Sequence, residues 1–393
     1  MEAQAADSLL RFFRSFPDPR ASNVSHSLND VMIIAILAVL CGCEGWASVE
    51  GWTWINLKWL RTFLDLSHGV PSHDTFDRVF ALMNPAAFER AFMIWTDTLV
   101  KSRNGLFIAV DGKTLRRSFK HAWSKSPVHL VSAFVSKNHV VLGQLATDAK
   151  SNEITAIPKL LALLELAGTT LTIDAMGCQK LIAGQIIAQQ AHYILAVKEN
   201  QPALHAKVKS LMDEAILESF KGMKHDFHES SEEAHGRMET RKVWCTPEVK
   251  WLGETGQAWP SLNSLIVVES RREMPGEPPS IQRRYFISSH DGKDARCVGE
   301  GIRLHWGVEN GLHWSLDVGM NEDQCRLRVK QGAENFSRLR RIALNKLKRW
   351  EIRKPNGKIL KAGIKTKQQA CGWSREFLIQ ALLAQMRLPW HCG

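Results

Sequence analysis

The sequence predicts an α/β protein, with an all-helical N-terminal domain preceding a mixed sheet covered by helices. Three observations carry this prediction. Apolar spacing is helical up to about residue 103 and becomes strand-like from Gly105. Between Phe107 and Val197, short β-type runs alternate with amphipathic stretches. A second strand-rich stretch, Phe227 to Ser289, then separates this alternation from a later helix-compatible segment.

Taken in order, Ser27 is placed to cap a helix starting at Leu28, and Gly42 and Gly45 break it. Val31 to Cys43 is strongly apolar, but its thirteen residues fall short of the ~20 that span a bilayer. It therefore reads as a buried helix. A Trp-rich segment follows through Trp46, Trp52, Trp54 and Trp59. After the turn at Gly69-Val-Pro, Ser72 or Asp74 caps a helix whose buried stripe is Phe76, Val79, Phe80 and Met83. Helix, turn and capped helix resemble a helix-turn-helix, a pattern that ordinary helical bundles also produce. Pro85 opens one more helix toward Val100.

Phe107 to Val110 is the first strand. His129 to Val135 and Val140 to Leu145 flank Ser136-Lys-Asn-His as a hairpin. Glu153 to Leu166 is amphipathic, and Leu171 to Ile173, Gln179 to Gln190 and Tyr193 to Val197 give strand, helix, strand. Strand, hairpin, helix, strand, helix, strand is the order of a ribonuclease-H-like core. A helix to about Phe220 and a β-rich insertion follow, with clear strands at Val243-Trp-Cys, Leu265-Ile-Val-Val and Arg284-Tyr-Phe-Ile-Ser and a loop at Met274-Pro-Gly-Glu-Pro-Pro. Near the end the sequence predicts a helix from Gly332 to Trp350, a Lys- and Gly-rich linker, and a short helix from Arg375 to Met386. The expected domains are 1–103 (helical, DNA-binding or associated), 104–200 (core, first part), 201–292 (insertion), 293–350 (core, final part) and 351–393 (basic tail).

At 393 residues the chain is long enough for two or three cores. Its net charge of +11 favours polyanionic partners. Gln324 to Gln368 holds fifteen Lys and Arg against Glu334 and Glu351, a surplus of +13 that leaves −2 for the rest. That concentration predicts phosphate contact by this segment. Eight scattered cysteines show no Cys-x-x-Cys, and the N-terminus lacks a signal-peptide pattern, so a reduced cytoplasmic protein is expected, nucleoid-associated when bound to DNA.

The main clue to chemistry is acidic. Asp111 closes the run Leu106-Phe-Ile-Ala-Val, Asp174 closes Thr170-Leu-Thr-Ile, and Glu309 lies in the helix-compatible Arg303-Leu-His-Trp-Gly-Val-Glu-Asn. Carboxylates at strand ends, joined by one from a helix packed across that edge, make a centre for two divalent cations and phosphodiester chemistry. Either aspartate alone is equally a turn former. His305, Glu309 and His313 at i, i+4 and i+8 offer a competing zinc hydrolase reading. Asp317, Glu322 and Asp323 read as helix-end or loop charges. Lys113, Arg116, Arg117, Lys198, His305, His313, Arg326 and Arg328 are candidate phosphate contacts, and Trp306 and Trp314 candidate base-stacking groups. No Gly-x-x-x-x-Gly-Lys-Ser/Thr loop is present.

Four long motifs carry a resemblance: Ile108-Ala-Val-Asp-Gly-Lys-Thr-Leu-Arg, Thr147-Asp-Ala-Lys-Ser-Asn-Glu-Ile-Thr-Ala-Ile-Pro-Lys-Leu, Thr172-Ile-Asp-Ala-Met-Gly-Cys-Gln and His305-Trp-Gly-Val-Glu-Asn-Gly-Leu-His-Trp-Ser-Leu-Asp-Val. Together they resemble the ISAs-type insertion-sequence transposases, also called H-repeat-associated proteins, over roughly residues 8 to 350. The resemblance implies a DDE transposase with a ribonuclease-H-like (retroviral-integrase-like) core. It also implies Asp111, Asp174 and Glu309 as ligands of Mg²⁺, which Mn²⁺ may replace. The implied partner is double-stranded DNA, at the element's terminal inverted repeats and the target, bound by a homo-oligomer, in the simplest case a dimer. Related transposases carry a Tyr-Arg-Glu-Lys signature where this chain has Ile302, His305, Glu309 and Leu316, so their DNA-end contacts are not carried over. An immobile, domesticated DNA-binding descendant is the alternative within this family.

Overall fold

The computed structural model describes residues 11–13, 16–20, 24–100, 102–118, 127–147, 153–234 and 236–384. Residues 148–152 of the second motif and the end of the basic tail lie outside them.

The N-terminal layer consists of α1 (Leu28–Leu40), α2 (Trp46–Leu60), α3 (His73–Leu82) and α4 (Pro85–Asp97). Its starts are those the sequence marks. Ser27 accepts from the Asp30 N–H at 3.0 Å, Ser72 from the Thr75 N–H at 3.3 Å, and Asn84 from the Ala87 N–H at 3.1 Å ahead of Pro85. α1 is buried along its length, as a uniformly apolar helix must be. Among the described residues no helix is long and apolar enough to cross a membrane. The stripe Phe76, Val79, Phe80 and Met83 is buried, and Trp46 stacks on Phe80 at 4.6 Å. The outward face of α3 carries His73, Asp74 and Arg78, with His73 held by Glu50. Such a mixed-charge face has little attraction for phosphate.

The strands are β1 (Phe107–Thr114), β2 (His129–Val135), β3 (Val140–Ala146), β4 (Thr170–Ile173), β5 (His192–Val197), β6 (Asp226–Ala234), β7 (Arg237–Thr246), β8 (Ser264–Glu273) and β9 (Ser280–Ser288). They form one sheet in the order β3-β2-β1-β4-β5-β9-β8-β7-β6. β1, β4 and β5 are parallel, and all other pairs are antiparallel. The segment expected as an insertion thus extends the same sheet, because β9 returns to pair with β5. Helices α5 (Glu153–Leu161), α6 (Lys180–Ala188) and α7 (Pro202–Leu217) connect the strands, and α8 (Ala295–Gly307) crosses β1 and β4.

The helix expected after Gly332 is α9 (Gly332–Arg349), and it corrects the reading of the basic segment. α9 packs against α1, α3, α4 and β3 at once, so most of its cations are shut off from solvent. Arg338, Arg340, Arg341 and Lys346 are buried. Arg338 donates to Glu89 of α4 at 2.6 Å and to Glu334 at 2.7 Å, and Lys346 to the Leu382 carbonyl at 2.6 Å. Burial works against the charge on Arg338, but Glu89 and Glu334 outweigh it and raise its pKa.

The same helices close the open edge of the sheet. Asn345 of α9 pairs with both the N–H and the C=O of Val141 at 2.9 Å, Glu89 accepts from the Gln144 N–H at 2.6 Å, and Thr96 donates to the Leu142 carbonyl at 2.8 Å. Side chains thereby satisfy an edge that would otherwise offer bare amides.

The expected linker after residue 350 is a second departure. Ile364–Trp373 forms α10, followed by α11 (Arg375–Leu383). Ile364, Gln368 and Cys371 are buried at helical spacing, and Gln368 donates to the α1 carbonyl of Val39 at 3.2 Å. The Lys and Gly residues around this stripe obscured it in the sequence.

Glu89→Ala should strip the buried Arg338 guanidinium of one of its two carboxylate partners and leave the Gln144 amide without an acceptor. The expected loss is ~3–5 kcal/mol, read as a lower urea midpoint at unchanged m.

Candidate active site

Parallel pairing brings the two aspartates together. Val110 is in register with Ile173, so the residues that follow stand side by side, Asp174 just past β4 and Asp111 inside β1, which runs on to Thr114 rather than ending at the aspartate as the sequence suggested. Asp174 turns the chain by accepting from the N–H groups of Met176 and Gly177. Glu309 arrives on the continuation of α8. His305, one turn earlier, fixes this helix above β4 through Nδ1, 3.1 Å from both the carbonyl and the hydroxyl of Thr172. Beyond Gly307 the helix widens into π-helical turns, Val308–His313 and Ser315–Gly319, a rare geometry often found at functional sites. Glycines let this stretch lie on the sheet: a Cβ at Gly307 would stand 3.0 Å from Ser136, and one at Gly311 3.3 Å from Phe134.

Asp111, Asp174 and Glu309 line one cleft of about 570 Å³. Burial pushes the Asp111 carboxyl up to about 7; the Gly112 N–H opposes this, and the charges of Asp174, Glu153 and Glu309 add to it. Hard carboxylate oxygens crowded until one retains its proton near neutrality suit divalent cations. Among the described residues, no three His, Cys, Asp or Glu side chains converge on one ion position. A zinc hydrolase needs about three protein ligands on one ion, which disfavours the zinc reading of His305, Glu309 and His313, and His305 Nδ1 is already engaged by Thr172.

His313 stands 3.8 Å from Asp111. Burial, with Lys113 and Arg341 nearby, lowers it to about 4, so it is neutral. Lys198, His305 and Trp306 line the cleft, whereas Arg116, Arg117, Trp314 and Arg326 are exposed outside it. Arg328 is half-buried and donates to the Arg117 carbonyl at 3.0 Å.

Lys113 requires correction as a phosphate contact. It is buried, ion-paired with Asp317, Glu322 and Asp323, and therefore has no charge to offer DNA. Glu322 is likewise no loop charge, since its buried carboxylate accepts from Arg341 and Ser337 at 2.9 Å. Burial raises its pKa, but Arg341 and Lys113 outweigh this and hold it well below the usual range.

Sequence reasoning missed four residues around the cleft. Glu153, at the start of α5, bonds His129 at 2.8 Å and sits against the backbone of Gly112, where a Cβ would come 2.0 Å from its oxygen. Its position in the quoted Ser-Asn-Glu motif was the available signal. Arg284, Lys209 and His205 reach the cleft only because β9 pairs with β5, and local sequence does not encode that pairing. The Arg284 guanidinium lies 4.0 Å over the Trp306 ring.

Comparison with known proteins adds family information. Residues 10–96 match a family model described as DDE_Tnp_1-associated, and residues 103–346 match one described as Transposase DDE domain. The "H repeat-associated putative transposase YhhI" of Escherichia coli K12 is 38% identical over 95% of this chain and 97% of its own. The "Putative transposase YncI" of Escherichia coli O157:H7 is 39% identical over 92% and 91%. An "Uncharacterized protein in dhlA 3'region" of Xanthobacter autotrophicus is 44% identical over 71% and 93%. A solved piggyBac transposase synaptic complex with hairpin DNA overlaps 97% of this chain and 78% of its own at TM-score 0.40 and 11% identity, too loosely to bear on the fold.

Two outcomes are expected from the site. Asp174→Asn removes a like charge and should lower the Asp111 pKa from about 7, as followed by carboxyl-carbon NMR titration. Glu322 has a depressed pKa in the folded state, so its stabilisation is complete above the unfolded value of about 4.3 and fades as pH falls below it. Glu322→Gln should flatten that acid-side slope in denaturation measured against pH.

Proposed function

Because the chain belongs to the family of transposases that carry a DDE domain, we propose that it hydrolyses DNA at the ends of its own insertion sequence and transfers the freed strand to target DNA. One observation carries the reading: Asp111, Asp174 and Glu309, separated by up to 198 positions in sequence, line the same cleft. We assign residues 104–200 and 293–350 to a ribonuclease-H-like core, 201–292 to an insertion sharing its sheet, 1–103 to an associated helical domain and 351–393 to a basic tail.

Asp111, Asp174 and Glu309 would hold two Mg²⁺ or Mn²⁺ ions, which when bound activate the attacking oxygen and stabilise the leaving one. The chain's own residues perform the remaining tasks. Asp111 stands between the other two carboxylates and must shed the proton that burial and its neighbours favour. His305 keeps the Glu309 helix over β4, and its ring, lowered below its usual value by burial, adds no charge to the acidic floor. Lys198, Lys209 and Arg284 line the same cleft, suited to the phosphates flanking the scissile one. Trp306, with Arg284 on one face, offers a platform for an unpaired base. Each step is an in-line displacement at phosphorus, for which the protein mainly positions the groups and neutralises charge. Two DNA ends must be joined in one complex, which favours a dimer on DNA.

With labelled terminal DNA and Mg²⁺ or Mn²⁺, the purified chain should nick at the element's end. Asp111→Asn should reduce nicking to background while leaving the DNA dissociation constant within a few-fold. A variant that nicks as the parent does would remove Asp111 from the chemistry and this reading with it.

A further inference from the structure

The fold treats the cations of the basic segment differently along its length. Arg338, Arg340, Arg341 and Lys346 of α9 are buried, whereas Arg353, Lys354, Lys358, Lys361 and Lys365 are exposed. Four of these five lie between α9 and α10 on a short hairpin. Arg353 and Ile359 form a β-bridge. Lys354 N–H donates to the Lys358 carbonyl at 2.9 Å, Gly357 N–H to the Lys354 carbonyl at 2.8 Å, and Leu360 N–H to the Ile352 carbonyl at 2.8 Å. Pro355-Asn356-Gly357 makes the turn, and Gly357 takes the left-handed φ of 79° that glycine favours.

Both ends of the hairpin are fixed. Ile352 is buried, and Lys367 caps α9 by donating to the Leu347 and Trp350 carbonyls. Ile364 packs against Gly319, where a Cβ would stand 3.1 Å from it. Arg353 pairs with Glu351, and Lys365 with Glu44. Among the described residues, Lys354, Lys358 and Lys361 form no ion pair. Three uncompensated ammonium groups on a tethered hairpin are a surface built for a polyanion.

We propose that the hairpin of residues 351–363 is a contact surface for the sugar-phosphate backbone of duplex DNA. The proposal rests on the reading of DNA as substrate, and it concerns residues beyond both matched family models, which end at 96 and 346. Its position suits that partner. Gly319, against which Ile364 at the hairpin's root packs, lies ten residues after Glu309 on the same helical stretch, so the hairpin is tied to the element that carries Glu309. Lys354 and Lys358 flank the turn and Lys361 lies on the returning arm, so the charges line an edge rather than a point.

The test is equilibrium binding of the full chain to a short duplex across a salt series, read by fluorescence anisotropy. The triple variant K354A/K358A/K361A should lower the slope of log K against log salt by ~2–3, one increment of about 0.9 per lost phosphate contact. Its thermal midpoint should match the parent's, and K354R/K358R/K361R should restore the parent slope. If the triple variant melts early, the three single alanine variants carry the same test at about 0.9 each. An unchanged slope overturns the proposal, and so does a parent that binds no duplex or a triple variant that loses affinity only for an acidic polypeptide. Nicking is scored separately. A parent that binds through the hairpin yet never nicks sinks the catalytic reading alone, whereas nicking with an unaltered slope sinks only the hairpin.

Discussion

An open sheet edge must find hydrogen-bond partners, and the rest of this molecule is arranged around how β3 does so. Asn345, Glu89 and Thr96 act as a tenth strand would, each from a helix and each through a side chain. Glu89 can take that role only if its buried charge is balanced, which is the work of Arg338. α9 in turn supplies Arg338, Asn345 and Asn335, the last donating to the Phe80 and Met83 carbonyls at the end of α3. The N-terminal helices and the sheet are thereby joined through polar groups that neither could leave unpaired.

The cleft is built on a different principle, since like charges are brought into one cleft there, and among the described residues no Lys or Arg is ion-paired with them. Asp111 and Asp174 are adjacent because their strands are parallel neighbours, and the Glu309 helix is pressed onto the sheet by glycines and by the His305–Thr172 contact. The ammonium that follows Asp111 on the same strand face, that of Lys113, is directed away into the Asp317, Glu322 and Asp323 cluster. Electrostatic crowding at Asp111 persists because the nearest lysine in sequence is engaged elsewhere.

How much of this was legible follows from the range of each interaction. Caps at Ser27 and Ser72, the helix start at Pro85 and the two short runs leading into Asp111 and Asp174 rest on contacts within a few residues and could be read directly. The β2–β3 hairpin was legible for the same reason. The β5–β9 pairing, the burial of Arg338 and the diversion of Lys113 depend on partners about 90 to 250 positions away. Charge counting could find the basic segment but could not say which side of a helix faces a buried glutamate. Glu309 was singled out by residue type and by resemblance together, since its helix shows no strand-end signal.

The reliance of β3 on α9 also sets the order in which the molecule can be completed. The ribosome releases the N-terminal helices and all nine strands before residues 332–349 emerge. Until they do, the apolar layer lacks its central strut and the outermost amides face water or another chain. Closure thus waits until residues 332–349 have been translated, and a product terminated before them would keep a strand edge open to aggregation.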